Sequence, residues 1–176
     1  MDAVEASTVV YLPPEEVYEF LVDFPRYANY SEHITEVRQY GDGKTGTTYD
    51  LVFSWWKLSY TARSEVTTLD SPTRIDWELT KDVDAHGYWR VEHIPEQAPD
   101  DEPDASEVRL RVEFNPHSAN KDAIDLPALV SLDWVIEKVT PKIEGEARTI
   151  VRRIVADLEG EERPVEVDIH AAPDSV

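Results

Sequence analysis

Cysteine is absent from this 176-residue chain, methionine occurs once and glycine only six times. Without a thiol there can be no disulfide, thiolate metal centre or cysteine nucleophile. Gly41 and Gly43 are read as part of a turn, and no glycine-rich phosphate loop is assigned. No segment approaches the ~20 apolar residues needed to span a bilayer. The start, MDAVEASTVVYLPPEE, lacks the basic residues and long apolar run of a secretory signal, so the cytoplasm is the expected location. Basic residues are scarce as well, 17 Lys+Arg against 37 Asp+Glu, and no basic face is visible that would hold nucleic acid.

Catalytic patterns are missing in the same way. No HExxH spacing occurs, and no serine has a histidine and an acid in a triad arrangement. The neighbouring acids Glu15 with Glu16, and Asp100 with Asp101, lie in solvated stretches. His86 and His93 are an odd number of positions apart, which puts them on opposite faces of a regular strand. No catalytic residue, metal ligand or cofactor is therefore assigned.

What is present in excess is acid, giving a formal net charge of -20. That is far beyond the magnitude of about 2 to 8 that keeps a small domain soluble. The acids run from Asp2 to Asp174 and arginine outnumbers lysine. Such a pattern fits a halophile's cytoplasm, where molar salt shortens the screening length to about 3 Å and suppresses self-repulsion. The rival reading is an acidic surface built for a basic partner.

The length suits a single domain with one core. Period-two runs predict a first strand at Val4 to Leu12, then strands at Thr35 to Tyr40 and Thr47 to Phe53. Between the first two, Pro13-Pro14-Glu15-Glu16 opens a helix whose Val17, Phe20, Leu21 and Phe24 share one face. Pro25 ends it, and a short second helix is expected at Arg26 to Tyr30. Further strands carry Ile75, Trp77 and Leu79; Gly87, Trp89 and Val91; and Val108, Leu110, Val112 and Phe114. The insert Pro95 to Ser106 reads as a solvated acidic loop. Leu132, Val135, Ile136, Val139, Ile143, Ile150, Ile154 and Leu158 then predict a long helix, kinked or split at Pro141 and ended by Gly160. Residues 1–160 form the expected domain, and 161–176 an acidic, weakly ordered tail.

FSWWKLSY, residues 53 to 60, is the densest aromatic stretch. Tyr49, Leu51 and Phe53 hold odd positions, whereas Leu58, Tyr60 and Ala62 hold even ones, so the chain must turn between the two sets. No glycine or asparagine is available for a two-residue turn. A four-residue loop, Ser54 to Lys57, is therefore expected, pairing Phe53 with Leu58 and Leu51 with Tyr60, with Trp55 and Trp56 at the tip.

The run VYLPPEEVYEFLVDFPRYANYSEHITEVRQYGDG, with YTARSEVT and the closing EARTIVRRIVADLEG, resembles the START-like superfamily (SRPBCC) of polyketide cyclases, birch-pollen-allergen-type proteins and coenzyme Q-binding proteins. It is most similar to the branch of coenzyme Q-binding proteins and ribosome-associated toxins, through Leu21-Val22-Asp23-Phe24-Pro25-Arg26-Tyr27. Together with the charge, this points to a haloarchaeal source. The resemblance implies an α+β helix-grip fold: a curved antiparallel sheet, two short helices and a long C-terminal helix around a cavity for lipids, quinones or polyketides.

On that basis the expected ligand-binding residues are Tyr27, Tyr30, Tyr49, Leu51, Phe53, Tyr60, Trp77, Trp89, Val91, His93, Leu110 and Val112. Trp55 and Trp56 are expected at the cavity rim or at a transient membrane contact. Three functions stay open: a carrier or sensor of a hydrophobic small molecule, an enzyme of the cyclase or dehydratase kind, and a protein-interaction module.

Overall fold

The computed structural model describes residues 1–115, 118–119 and 130–172. Its elements are strand β1 (Asp2–Val10), helix α1 (Pro14–Val22), a 3₁₀-helix (Phe24–Asn29), and strands β2 (Ile34–Tyr40), β3 (Thr48–Trp55), β4 (Leu58–Asp70), β5 (Arg74–Leu79), β6 (Asp84–His93) and β7 (Ser106–Asn115). Helix α2 (Leu132–Glu159) and strand β8 (Asp168–Ala171) complete the chain. The strands form one antiparallel sheet in the order β2-β3-β4-β5-β6-β7-β1-β8.

Strand register decides which side chains share a face, because directly paired residues of antiparallel strands point the same way. Leu51 pairs with Ala62, Val66 with Trp77, Ile75 with Trp89, Gly87 with Val112 and Trp89 with Leu110. These apolar residues therefore form one continuous concave face. On the opposite face, Arg109 and Arg111 bridge Glu5, Glu107 and Glu113.

One end of the concave face is solidly packed. Val17, Phe20, Leu21 and Phe24 of the α1 region are buried with Tyr49, Val66, Ile75, Val91 and Val108 of the sheet and Val155 of α2 in a single cluster. The expected face of α1 is thus the one that is buried.

Helix α2 begins at Ser131, whose hydroxyl accepts from the Trp134 amide at 3.2 Å, and ends at Gly160 with φ of 82°. The latter is the left-handed cap that glycine adopts without a Cβ penalty. The expected split at Pro141 does not occur: the helix runs through it, since proline removes a single main-chain donor while the remaining turns stay hydrogen-bonded. The side chains of Leu132, Val135, Ile136, Val139 and Ile143, and the whole of His117, lie outside the described residues.

Two further expectations are corrected. The β3–β4 connection is a two-residue turn, with Trp55 paired to Leu58 and Phe53 to Tyr60. Trp56 takes φ of 53°, the left-handed conformation that the absence of glycine and asparagine argues against. Its ring contacts with Trp55 and Trp134 are worth about 0.5–1.5 kcal/mol each, the same order as the backbone strain. A slip of two residues preserves parity, so the inward set is unchanged while Trp55 joins it. The segment after Gly160 is likewise not a loose tail throughout, because β8 pairs with β1. Arg163 donates to the Val9 carbonyl at 2.8 Å, Thr8 Oγ1 to the Glu166 carbonyl at 2.8 Å, and Ser7 Oγ lies 2.7 Å from His170 Nε2.

Gly87 is a point of close approach on the concave face. A Cβ there would fall 2.3 Å from the Arg111 carbonyl oxygen and 2.7 Å from Trp77 Cζ2. A glycine inside a strand marks such a close approach. Gly87→Ala should accordingly destabilise the protein by about 1–3 kcal/mol, read as a lower urea midpoint at unchanged slope.

Candidate functional site

Antiparallel connectivity places the β3–β4 and β5–β6 turns at one end of the sheet, opposite α1 and the packed cluster, and the Trp134–Trp56 ring contact brings the start of α2 there. Towards this end the concave face changes character. Phe53, Tyr60, Trp77, Leu110 and Val112 remain partly exposed and fall outside the packed cluster. Leu51 and Trp89 are also partly buried but reach that cluster, whereas Tyr49 at 1% and Val91 at 2% exposure are core.

Helix α2 is held across the face at both ends. At its C-terminus, Tyr30 donates its hydroxyl to Asp157, and Arg153 reaches the Tyr30 carbonyl at 3.3 Å. Glu159 accepts from the Tyr11 amide at 2.8 Å and from Arg163 at 2.7 and 2.9 Å. At its N-terminus, the Trp134 ring lies 6.1 Å from Trp56, and Lys142 Nζ sits 4.9 Å from the Trp55 ring centroid.

The polar groups on the concave side divide clearly. Tyr27 donates its hydroxyl to the Leu21 carbonyl, with its ring against Phe20, Phe24 and Trp89. Tyr30 is committed to Asp157. Tyr60 differs: its hydroxyl oxygen is buried and is the one side-chain polar atom among the described residues that is buried without a hydrogen-bond partner. Leaving such a group unsatisfied costs about 1–3 kcal/mol. A group of this kind in a native fold calls for a partner that completes it, either a water or a ligand atom.

Asp82 stands beside this hydroxyl in the β5–β6 turn, with φ of 70° and its carboxylate 3.6 Å from Lys81 Nζ. Burial first, and the Asp82 charge second, raise the Tyr60 hydroxyl above its ordinary value. The group is therefore a neutral donor at physiological pH. A shallow, open hollow of about 490 Å³ borders the same turn, lined by Leu79 to Asp84 and Ser118.

Of the residues expected from sequence, Leu51, Phe53, Tyr60, Trp77, Trp89, Leu110 and Val112 are brought together on one surface. Tyr49 and Val91 belong to the packed core, and the Tyr27 and Tyr30 hydroxyls are used internally. His93 is corrected. Its backbone keeps the inward register opposite Ser106, but its exposed side chain turns away to Asp104 in the acidic loop. Sequence reasoning missed Asp82, Gly87, Trp134 and Lys142. Trp134 carried a signal, being a bulky apolar residue off the Leu132, Val135, Ile136, Val139 stripe; Asp82 carried none.

A curved antiparallel sheet gripping one long C-terminal helix, with its apolar concave face left partly open, defines the helix-grip class of α+β ligand-binding folds. The chain belongs to the family described as polyketide cyclase/dehydrase and lipid transport, matched over residues 1–157. The aromatase/cyclase ZhuI from Streptomyces sp. R1128 is similar in structure, with a TM-score of 0.62 at 18% identity over 89% of this chain and 93% of that one. A START superfamily protein from Mycobacterium smegmatis gives 0.60 at 13% over 90% and 99%. Norcoclaurine synthase from Thalictrum flavum gives 0.53 at 9% over 90% and 96%. No curated protein matches the sequence.

Burial is the first cause of raised hydroxyl values at Tyr18, Tyr27, Tyr30, Tyr49 and Tyr60. The folded state thus keeps protons that the unfolded state releases near pH ~10. Their contribution is complete below that pH and is lost as pH climbs through the folded values. A urea-unfolding series should show stability falling as pH passes about 10, with less phenolate absorbance in native than in unfolded protein at the same pH.

Proposed function

We propose that this protein binds and carries a hydrophobic small molecule, such as a lipid, an isoprenoid quinone or a polyketide-like compound, between the concave face and α2. The partner-less Tyr60 hydroxyl carries the reading. It sits among apolar residues that internal packing leaves partly exposed, which is the surface a ligand would cover. Enclosing roughly 300 Å² of apolar ligand contributes about 7 kcal/mol before ordering costs. Tyr60 would then donate to a ligand oxygen, and a quinone or ketone carbonyl suits a neutral donor standing beside a carboxylate.

The family description supports a second reading, a cyclase or dehydratase. Tyr60 is the group that would exchange a proton there. Its raised value makes it a poor acid or base near neutrality, which favours binding over turnover.

Two outcomes test this reading. Tyr60→Phe removes the orphan oxygen, so the empty protein should gain up to about 1 kcal/mol while affinity for the co-purified ligand falls about tenfold. Protein purified from its native host, denatured and analysed by mass spectrometry should release a hydrophobic molecule. Recovery of none, with Tyr60→Phe destabilising, would overturn the proposal.

The acid excess we read as an adaptation to molar salt. The thermal midpoint should then rise continuously from low to molar KCl as the repulsion within a charge of -20 is screened. A midpoint indifferent to KCl would contradict it.

A further inference from the structure

The end of the sheet that carries the β3–β4 turn gathers exposed aromatic rings and amines from segments far apart in sequence. Trp56 is 59% exposed and Trp134 39%. Trp55, Trp56 and Trp134 form a chain of rings with centroid spacings of 6.4 and 6.1 Å. Lys57 Nζ lies 5.7 Å from the Trp56 ring centroid and Lys142 Nζ 4.9 Å from that of Trp55. Trp134, Lys138 and Lys142 are spaced four apart and line one exposed stripe of α2.

This concentration runs against the composition of the chain. Of its six lysines, Lys57, Lys81, Lys138 and Lys142 lie at this end, Lys44 lies on the β2–β3 turn at the other, and Lys121 is outside the described residues. Acid is present too, with Glu137 exposed beside the stripe, Glu78 and Asp84 exposed on either side of the β5–β6 turn, and Asp82 paired with Lys81. Even so, exposed indoles flanked by three amines that form no ion pair among the described residues occur together here in a molecule of net charge -20.

From this juxtaposition we infer that the Trp56–Trp134 end is a docking surface for a bilayer containing anionic lipid. Indoles settle at the headgroup level, where the ring is apolar and the N–H stays hydrated. The amines of Lys57, Lys138 and Lys142 meet lipid phosphates, each contributing in the range known for basic residues near an anionic surface. The acid excess elsewhere repels such a surface and so turns this end towards it. Net repulsion weakens as salt rises, while the indole contribution persists. The inference does not rest on an occupied cavity.

The test is co-sedimentation with vesicles of phosphatidylcholine, alone or with roughly one third phosphatidylglycerol, at low and at molar KCl, without added ligand. The whole protein should bind the anionic vesicles, with a blue shift in tryptophan emission. Trp56→Ser combined with Trp134→Ser should lower partitioning at least about tenfold at both salts. Lys57→Gln, Lys138→Gln and Lys142→Gln combined should lower it about a hundredfold at low salt only, and only for anionic vesicles. Circular dichroism of both variants should match the parent, and melting should stay above the assay temperature although the Trp56–Trp134 and Lys142–Trp55 contacts are removed. Failure of the parent to bind, or unchanged binding by the tryptophan variant, would overturn the inference. Self-association of the parent that the tryptophan variant abolishes, without vesicle binding, would overturn it in favour of a contact between copies. A vesicle failure leaves the Tyr60 reading standing, because no ligand enters this assay.

Discussion

Everything on the concave side depends on the anchoring of the C-terminal end of α2. Val155, 1% exposed, enters the same cluster as Val17, Tyr49, Ile75 and Val91, so the helix is fixed to both the sheet and α1 by shared burial. Polar contacts then set its rotation: Tyr30 on Asp157, and the Tyr11 amide with Arg163 on Glu159. A carboxylate in the last turn of a helix is unfavourable to the helix dipole. Glu159, whose side chain is 6% exposed, is tolerated because Arg163 pairs with it at 2.7 Å. That guanidinium also lies 3.8 Å from the Tyr11 ring centroid and bonds the Val9 carbonyl, so β1, α2 and the segment leading to β8 meet at one point.

Fixing the helix at this end lets the other end of the face be different. Close packing of every inward side chain would give a filled core with no partly exposed aromatics. Instead the sheet continues past the packed cluster, and α2 is met again at the β3–β4 turn through rings and amines. Between the two anchors lie Phe53, Tyr60, Trp77, Leu110 and Val112, with a hydroxyl that none of the described residues satisfies. Gly87 belongs to the same design, since the missing Cβ lets the Trp77 indole lie close to the strand. Close packing is concentrated at one end and the partly exposed apolar residues at the other, and one sheet carries both.

Periodicity carried much of this from the sequence. Alternation along β3 to β7 identified the inward face, and it survived a two-residue error in the hairpin because side chains repeat every second position. Spacing of Val17, Phe20, Leu21 and Phe24 identified the buried face of α1, and Gly160 marked the end of α2. What failed were properties with no local signature. A tryptophan at positive φ is held by a ring from α2, about eighty positions along the chain. Strand β8 is short, and its partner lies at the far N-terminus. His93 obeys strand parity in its backbone, yet its side chain follows Asp104.

The sequence by itself therefore determined the class of fold and the inward residues, since alternation is local and counts directly. Only the tertiary structure decided which inward residues are core and which line the open part of the face. It alone showed that Tyr27 and Tyr30 spend their hydroxyls internally while Tyr60 does not, and that Trp55, Trp56 and Trp134 converge. Burial and hydrogen-bond satisfaction are set by what comes across from a distant segment, and no window of sequence contains both sides of such a contact.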